Sequence, residues 1–428
     1  MAGVLLEELY IHNFKSFYKS KFEFGKVNCI IAPNNSGKSN LMAALKFLDN
    51  LLYDNSVIAI HNVGYENIRN FHYDENIMNL NAKFSIKNKV LIDKELIDYS
   101  ISLLFLFRLD SITKKQNIDI IVSGKIKSTI IDSDDLINGL GLRVIRNLSD
   151  YIKNYKNYRE LLDKKVYRSF DFTYNHFTLN YNLTTRYETT KEIIKKLFVL
   201  NIKNDEYLQS QIEFSKIFSK NSLFQSHYFQ THEMKRPEPM GINYLYGSGK
   251  NLPEFLVYLY DRDKELFNDI AISLIGEVEL VNSIEVRDES IPELIFKEEL
   301  NDKSYHVSIQ DISDGTLHFI AIMTAIIGDK LSQGIMIEEP ERHMHMKVLT
   351  YILNTMRDDT KQIFFTTHST EILQQLDLDE IIFMFRDYDG NTKGQRAKDI
   401  PNIKKIMKLY KNDLVSMIQM GVVGEYDE

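Results

Sequence analysis

The chain has 428 residues, of which 44% are hydrophobic and 26% charged, and its formal net charge is -8 at pH 7. This composition is sufficient for one large core or two ordinary ones and excludes a disordered chain. The acidic balance excludes a general electrostatic attraction to nucleic acid or anionic lipid, so any such contact requires a local patch.

Cysteine usage and targeting signals bear on the compartment. The single cysteine, Cys29, cannot form an internal disulfide or a CxxC zinc pattern, which fits a reducing compartment. Residues 1–14 lack the basic end and apolar stretch of a signal peptide. The longest largely apolar run, residues 319–327, is far shorter than a membrane span. We therefore expect a cytoplasmic protein with no membrane partner.

The first predicted elements are three short strands. Residues 5–11, 19–24 and 27–31 are rich in β-branched and aromatic side chains and are separated by polar turns. The third strand runs directly into the loop at residues 32–39, and residues 40–52 then carry apolar side chains at helical spacing. The order is strand, loop, helix.

The loop has the sequence A-P-N-N-S-G-K-S and is typical of a phosphate-binding loop. Such a loop needs successive backbone N–H groups around an anion, a lysine for the terminal phosphates and a hydroxyl on Mg²⁺, with the helix dipole behind them. Ala32 replaces the usual glycine, which restricts the backbone but removes no N–H donor. The loop alone predicts only nucleotide binding; together with the motifs described below, we expect the nucleotide to be ATP with Mg²⁺, and Ser39 to be a metal ligand. The nucleotide-binding residues of the loop are Asn34, Asn35, Ser36, Gly37, Lys38, Ser39 and Asn40.

The middle of the chain changes character twice. Residues 82–131 alternate or run in short apolar blocks and predict more strands, whereas residues 134–229 have helical periodicity and are rich in Tyr, Lys and Asn. We interpret the second stretch as a mostly helical insertion. The predicted domains are 1–131, the first half of the nucleotide-binding domain with the phosphate-binding loop; 132–240, the insertion; and 241–428, the second half of that domain.

One segment of the insertion, residues 143–168, is locally basic. It holds eight Lys or Arg and three Asp or Glu, interleaved with tyrosines. Such a mixture can follow a nucleic-acid backbone. The acidic whole favours the alternative of a solvated helix face or a partner surface.

The last part of the chain alternates helices and strands. Residues 252–274 predict one amphipathic helix. Residues 315–327 and 344–356 predict further helices, and residues 334–337 and 362–366 predict short buried strands. Helices alternating with buried strands favour a largely parallel sheet, so the fold class is α/β. A terminal strand is predicted before a turn at 387–390.

Two acids end the strand at 334–337. Glu338 suits Mg²⁺ coordination, directly or through water, and Glu339 suits the polarisation of a water that attacks the γ-phosphate. Many ATPases have Asp where Glu338 stands. Two solvated acids at a strand end are common by themselves, but a phosphate loop in the same chain argues against that interpretation.

Two further motifs complete the pattern. Ser313, Asp314 and Gly315 open a helix about twenty residues before the acids, where a hydroxyl and N–H groups can bind phosphate oxygens. In isolation they would be an ordinary helix cap. His368 follows the strand at 362–366, where it can donate a hydrogen bond to the γ-phosphate. The predicted catalytic residues are Lys38, Glu339 and His368.

This order of motifs resembles the ABC-type ATPase heads of the SMC and RecF group, and more closely the OLD-like AAA ATPases of bacteria and phages. Residues 14–17, F-K-S-F, are similar to the opening motif of that family, and residues 313–317 to its Ser-Asp-Gly-Thr signature. Residues 338–341 with His345 are similar to its Glu-Pro-Glu and Leu-His-Pro motif, which is met only in part because methionines flank the histidine. The resemblance covers roughly the first 60 residues and the stretch from about residue 247 onward.

The resemblance implies an ABC-type P-loop head with a mixed β-sheet core, active as a homodimer or a higher homo-oligomer. Ser313, Asp314 and Gly315 then contact the γ-phosphate held by the loop of another copy, and Lys15 lies near the nucleotide. It also implies an ATPase that regulates a separate effector protein, such as a nuclease, in antiphage defence.

Two alternatives to that function remain open. One is a DNA-repair or chromosome-associated ATPase clamp of the SMC or RecF type, although the insertion is short and has no heptad array. The other is a nucleotide-gated scaffold with little hydrolysis, motivated by Ala32 and Glu338. No glutamine that senses Mg²⁺ is assigned.

Overall fold

A computed structural model describes residues 4–33, 35–53, 56–70, 72–92, 95–110, 116–127, 169–173, 177–181, 222–236, 243–278, 281–287, 293–301, 303–403, 405 and 408. Contacts group the chain into two compact units. The first comprises residues 1–23 and 43–223, and the second comprises residues 24–42 and 224–428.

Strands and helices both occur along the described chain. In chain order, the strands are β1 Val4–His12, β2 Ser20–Glu23, β3 Val27–Ile31, β4 Ile77–Ile92, β5 Glu95–Asp110, β6 Gln116–Lys127, β7 Ser169–Thr173, β8 Phe177–Tyr181, β9 Ser222–His227, β10 Val281–Arg287, β11 Glu293–Leu300, β12 Lys303–Ser308, β13 Ser332–Glu338, β14 Gln362–Thr366, β15 Ile381–Arg386 and β16 Thr392–Arg396. The helices are α1 Lys38–Tyr53, α2 Ser56–Val63, α3 Tyr65–Ile68, α4 Thr231–Met234, α5 Leu252–Arg262, α6 Lys264–Glu277, α7 Asp314–Met323, α8 Met346–Asp358 and α9 Thr370–Leu373. A π-helical turn, Thr324–Gly328, continues α7, and a short 3-10 turn, Ala397–Asp399, follows β16.

The first unit is built on a sheet in the order β2-β1-β4-β5-β6-β7, with β8 also paired to β6. Its described pairings are antiparallel. Alternate side chains of β1, such as Leu9 and Ile11, are fully buried, as the two-residue period of a strand requires. Phe47 of α1 packs between Phe14 and Phe107, with ring centroids 5.5 and 5.9 Å away. Aromatic packing therefore holds this helix segment on the sheet.

The second unit contains a sheet in the order β16-β15-β3-β14-β13-β9. Strands β15, β3, β14 and β13 run parallel to one another, and β16 is antiparallel to β15. Every residue of β3 and β14 is buried. A run of consecutive apolar residues is expected of parallel strands that are covered on both faces.

The remaining part of the second unit packs against this sheet. Its core combines strand side chains such as Ile335 and Phe365 with helix side chains such as Leu256, Phe319 and Leu353. A separate antiparallel sheet, in the order β10-β11-β12, precedes α7. The α/β fold class with mixed β-sheets is thus confirmed.

Most predicted elements form with small changes of boundary, and the single helix predicted over 252–274 is wrong. The chain forms α5 and α6 instead, because Asp263 leaves the helical region (φ -148°, ψ 71°) and caps the second helix by accepting a hydrogen bond from Leu266 N at 3.3 Å. The apolar period continues through this break, so periodicity alone did not reveal it.

Several predictions fall on other parts of the chain. The basic segment 143–168 lies outside the described residues, as does most of the predicted helical insertion. Where the structure does describe residues 134–229, it shows the strands β7, β8 and β9, so the helical interpretation is wrong for these segments. The division into 1–131, 132–240 and 241–428 stays a prediction. No helix in the described part of the chain is long and apolar enough to cross a bilayer.

Candidate functional site

Three adjacent strands of the second unit bring the predicted motifs to one edge of the sheet. Ile30 of β3 pairs with Thr366 of β14, which pairs with Glu338 of β13. Because these strands are parallel, the segments that follow them leave from the same edge. Those segments are the phosphate loop, the paired acids and Thr367 with His368.

The phosphate loop has the backbone shape that its sequence predicts. Asn35 and Gly37 adopt left-handed φ values of 66° and 97°, and the N–H of Ser36 donates to the carbonyl of Pro33 at 3.2 Å. Asn and Gly are the residues that tolerate this region best. Successive turns of this kind make concave anion sites lined by N–H groups. Asn34 lies outside the described residues.

Helix α1 begins at Lys38, so the lysine, Ser39 and Asn40 form its first turn. The Nζ of Lys38 lies 2.5 Å from Nε2 of His368. Burial lowers the pKa of Lys38, whereas the carboxylates of Glu339, Glu341 and Glu338 act in the opposite direction. The lysine is thus close to both the acids and the histidine, and these predicted residues converge.

The two acids differ in their surroundings. Burial raises the pKa of Glu338, and the charge of Glu339 adds to the effect, while Arg342 and Lys38 oppose it. Glu339 has a left-handed φ of 50°, and its N–H donates to the Thr366 carbonyl at 3.0 Å. Because the backbone turns at the end of β13, Glu338 and Glu339 do not follow the alternation between the two faces of the sheet that successive strand residues show.

Glu341 connects the acid turn with the histidine. Its Oε1 accepts hydrogen bonds from the hydroxyl of Thr367 at 2.8 Å and from the backbone N–H of His368 at 2.9 Å. No separate role was predicted for Glu341, although it belongs to the Glu-Pro-Glu motif. The motif itself, in which an acid follows Glu339-Pro340, was the signal that could have identified it.

A hairpin formed by β15 and β16 holds the phosphate loop from another side. Arg386 donates to the Asn35 carbonyl through Nε at 3.1 Å and Nη2 at 2.9 Å. Its Nη1 donates to the Gly390 carbonyl at 2.6 Å, and the Thr392 hydroxyl donates to the Ser36 carbonyl at 3.0 Å. Residues 387–390 form the predicted turn of this hairpin. No sequence motif pointed to Arg386 or Thr392.

The Ser-Asp-Gly motif begins α7. The Ser313 hydroxyl accepts a hydrogen bond from Thr316 N at 3.1 Å, which makes it the N-cap. Asp314 pairs with Lys235 at 2.9 Å, and Lys235 also donates to the Ile312 carbonyl at 3.0 Å. A Cβ at Gly315 would lie 2.5 Å from the His343 carbonyl oxygen, so α7 starts against the turn that follows the acids.

Not every predicted site residue joins this group. Within the described residues, no hydrogen bond or ion pair connects Ser313, Asp314 or Gly315 with the phosphate loop. Lys15 belongs to the first unit, where its N–H donates to the Ile68 carbonyl at 2.6 Å and its φ is 49°. The roles predicted for these residues toward a nucleotide remain predictions.

The donor set fits magnesium bound together with phosphates. Among the residues that the structure describes, no group of three His, Cys, Asp or Glu could form a metal cage. Mg²⁺ at nucleotide sites uses one or two protein oxygens, substrate phosphates and water. The exposed hydroxyl of Ser39 and the half-buried carboxylate of Glu338 provide oxygens of that kind.

Comparison with known proteins adds sequence relatives. The family model described as "AAA domain, putative AbiEii toxin, Type IV TA system" matches residues 126–374. An ATP/GTP phosphatase of Helicobacter pylori is 23% identical over 406 residues, covering 91% of each chain. The DNA replication and repair protein RecF of Porphyromonas gingivalis is 33% identical over 96 residues, which are 21% of this chain and 26% of RecF.

Two solved structures are similar to the chain at low sequence identity. The SMC head domain from Thermotoga maritima is 14% identical, with a TM-score of 0.40 over 91% of this chain and 98% of the other. A structure of the recombination mediator protein RecF is 13% identical, with a TM-score of 0.35 over 92% and 98%.

Proposed function

Because the chain belongs to the family described as AAA domain, putative AbiEii toxin, Type IV TA system, we propose that it is a magnesium-dependent ATPase. One observation carries the proposal. Lys38, the paired acids and His368 meet at the ends of three adjacent parallel strands, and Lys38 lies within hydrogen-bond distance of His368. An ATP/GTP phosphatase that matches 91% of the chain supports the same reaction.

Each residue has a role in phosphoryl transfer. Backbone N–H groups of residues 35–39 bind the phosphates, and Lys38 and His368 donate to the terminal phosphate. Ser39 and Glu338 hold Mg²⁺, which neutralises charge on the phosphate oxygens when bound. Glu339 polarises the attacking water and accepts its proton. The products are ADP and phosphate.

A second copy of the chain completes the site in this proposal. Ser313, Asp314 and Gly315 present a hydroxyl and N–H groups at a helix start, which is suited to phosphate oxygens. In the described residues they have no bond to the phosphate loop of their own chain. As the resemblance to ABC-type heads implies, these residues serve the loop of a partner in this proposal, and ATP joins two copies into a homodimer or a larger homo-oligomer.

The wider role proposed is regulation of a separate effector, such as a nuclease, in antiphage defence as an OLD-like ATPase. The support is the resemblance of the four motifs to that group and the toxin–antitoxin description of the matching family. The cytoplasm is the proposed compartment.

Phosphate release with Mg-ATP and with Mg-GTP tests the activity. Wild type should release phosphate, Lys38→Ala should lose nucleotide binding, and Glu339→Gln should bind nucleotide but hydrolyse it at least about 10²-fold more slowly. Turnover that is unchanged in both variants would contradict the proposed site. Nucleotide binding with negligible turnover in wild type would support the scaffold instead.

A second candidate is a DNA-associated ATPase clamp, favoured by the 96 residues that match RecF. It predicts that duplex DNA stimulates turnover and stays bound at moderate salt. Turnover that is indifferent to DNA would exclude this candidate and leave the first.

A further inference from the structure

Arg342 connects the proposed general base with an aromatic side chain on another segment. Its Nε donates to Oε2 of Glu339 at 2.7 Å, and its Nη1 donates to the hydroxyl of Tyr228 at 2.9 Å. The guanidinium carbon also lies 4.7 Å from the centroid of the Tyr228 ring. Tyr228 immediately follows β9, the sheet neighbour of β13.

The contacts with Tyr228 hold the guanidinium of Arg342 in place, and the guanidinium in turn holds the carboxylate of Glu339. A guanidinium that lies over a ring and donates to the hydroxyl of the same residue has little rotational freedom. The side chains of Arg342 and Glu339 are 37% and 32% exposed. Ion pairs as exposed as this one contribute little to folding stability. The main consequence of the contact is therefore not stability but the orientation of the Glu339 carboxylate.

The two oxygens of Glu339 are not equivalent. Arg342 occupies Oε2, whereas among the described residues Oε1 has no hydrogen-bond partner. The backbone of Glu339 is itself held by the bond from its N–H to Thr366. With the backbone and one oxygen fixed, the direction of Oε1 is fixed as well.

We propose that Arg342, held by Tyr228, is the positioning residue that aims Oε1 of Glu339 at the attacking water. This inference rests on the proposed ATPase function and adds two residues to the site that no motif identified. Oε1 takes a proton from water while the water oxygen bonds to the γ-phosphorus. The bond between the γ-phosphorus and the bridging oxygen breaks, and ADP leaves with that oxygen. Arg342 takes no part in the proton transfer.

Kinetics of Arg342 variants test the proposal. Arg342→Ala should lower kcat on the order of 10-fold to 10²-fold, because a misaimed base slows the chemical step, while KM and the affinity for a non-hydrolysable ATP analogue stay unchanged. Arg342→Lys should rescue only part of kcat, since an ammonium lacks the planar set of donors that bonds Glu339 and Tyr228 together. Tyr228→Phe, which keeps the ring, should lower kcat less than Tyr228→Leu does.

Arg357→Ala is the matched control. Arg357 also donates to a glutamate, Glu380, through Nε at 2.8 Å and Nη2 at 2.6 Å. Glu380 lies just before β15, so this pair is at the end of the parallel strands opposite to the site. The control should leave kcat unchanged. A merely structural Arg342 would lower the melting temperature and nucleotide affinity together with kcat.

A double-mutant cycle decides the outcome. If Arg342 acts through Glu339, Glu339→Gln with Arg342→Ala should be no slower than Glu339→Gln alone. Independent effects that multiply, or wild-type kcat in Arg342→Ala, would overturn the inference. Failure of the ATPase proposal would be recognised separately, because wild type would then show no turnover that depends on Lys38.

Discussion

At the residue scale, the site depends on side chains placed at strand ends. The placement of Lys38, Glu338, Glu339 and His368 could be predicted from the sequence because each lies at or after the end of a buried strand in a known order. The contacts of Glu341, Arg342 and Arg386 could not, since they depend on where separate segments meet in space, although the Glu-Pro-Glu motif already marked Glu341. Glu341, for example, bonds the backbone of His368, which lies 27 residues away in the chain.

The contact between His368 and Lys38 predicts the effect of losing the imidazole. His368→Ala should lower kcat for ATP by about 10²-fold, because one hydrogen-bond donor to the terminal phosphate disappears. Nucleotide affinity should fall much less, since the loop and Lys38 remain. Steady-state phosphate release and analogue binding measure the two effects. Equal loss of kcat and affinity would instead assign His368 to binding.

At the element scale, the hairpin of β15 and β16 supports the phosphate loop through Arg386 and Thr392. Arg386→Ala should weaken binding of an ATP analogue roughly 10-fold, because two hydrogen bonds to the Asn35 carbonyl are lost. Isothermal titration measures the change.

Arg386→Lys separates geometry from charge in that experiment. The lysine keeps the positive charge but lacks the pair of guanidinium donors that bonds the Asn35 carbonyl. This variant should therefore bind the analogue almost as weakly as Arg386→Ala does. Full affinity in the lysine variant would mean that only the charge matters.

The start of α7 predicts a second effect at this scale. Gly315→Ala should destabilise the fold by roughly 1–3 kcal/mol, because its Cβ would lie 2.5 Å from the His343 carbonyl oxygen. Gly276→Ala in α6 is the control, since a Cβ there meets nothing within 4 Å. It should be neutral or stabilising by about 0.4–1 kcal/mol. Urea unfolding measures both, and equal stability of the two variants would contradict the close approach.

Strands and helices could be predicted where the spacing of apolar residues in the sequence matches the side chains that the fold buries. The strands at Val27–Ile31 and Gln362–Thr366 form over the predicted residues, because short apolar runs suit a sheet covered on both faces. The break at Asp263 was missed since capping depends on one side-chain hydrogen bond within an unbroken apolar period. The pairing order of the strands was also beyond the sequence, because it depends on contacts between distant segments.

At the scale of the whole molecule, a buried histidine predicts how stability responds to acid. Burial lowers the pKa of His227 to about 4, against the smaller opposing effect of Asp329. The unfolded chain has a histidine pKa near 6.5, so between these values only the unfolded state binds the proton. His227 alone should therefore lower the free energy of unfolding by roughly 1.4 kcal/mol per pH unit as the pH drops through this window.

Urea unfolding of His227→Phe between about pH 7 and about pH 5 checks this slope. The variant should lose the contribution of His227, so its free energy of unfolding should fall less steeply than that of wild type. His318, whose pKa burial also lowers to about 4, should maintain part of the slope in His227→Phe. An identical slope in wild type and His227→Phe would contradict the assignment.

The central claim is that one nucleotide lies between Lys38 of one chain and Ser313 of another. Mixing two inactive variants, Lys38→Ala and Ser313→Arg, tests it most directly by phosphate release. In mixed dimers, intact Lys38 from one chain should meet intact Ser313 from the other, and part of the wild-type activity should return. If the mixture stays inactive although mixed dimers form, the two residues do not share a nucleotide across a subunit interface, and the account is contradicted.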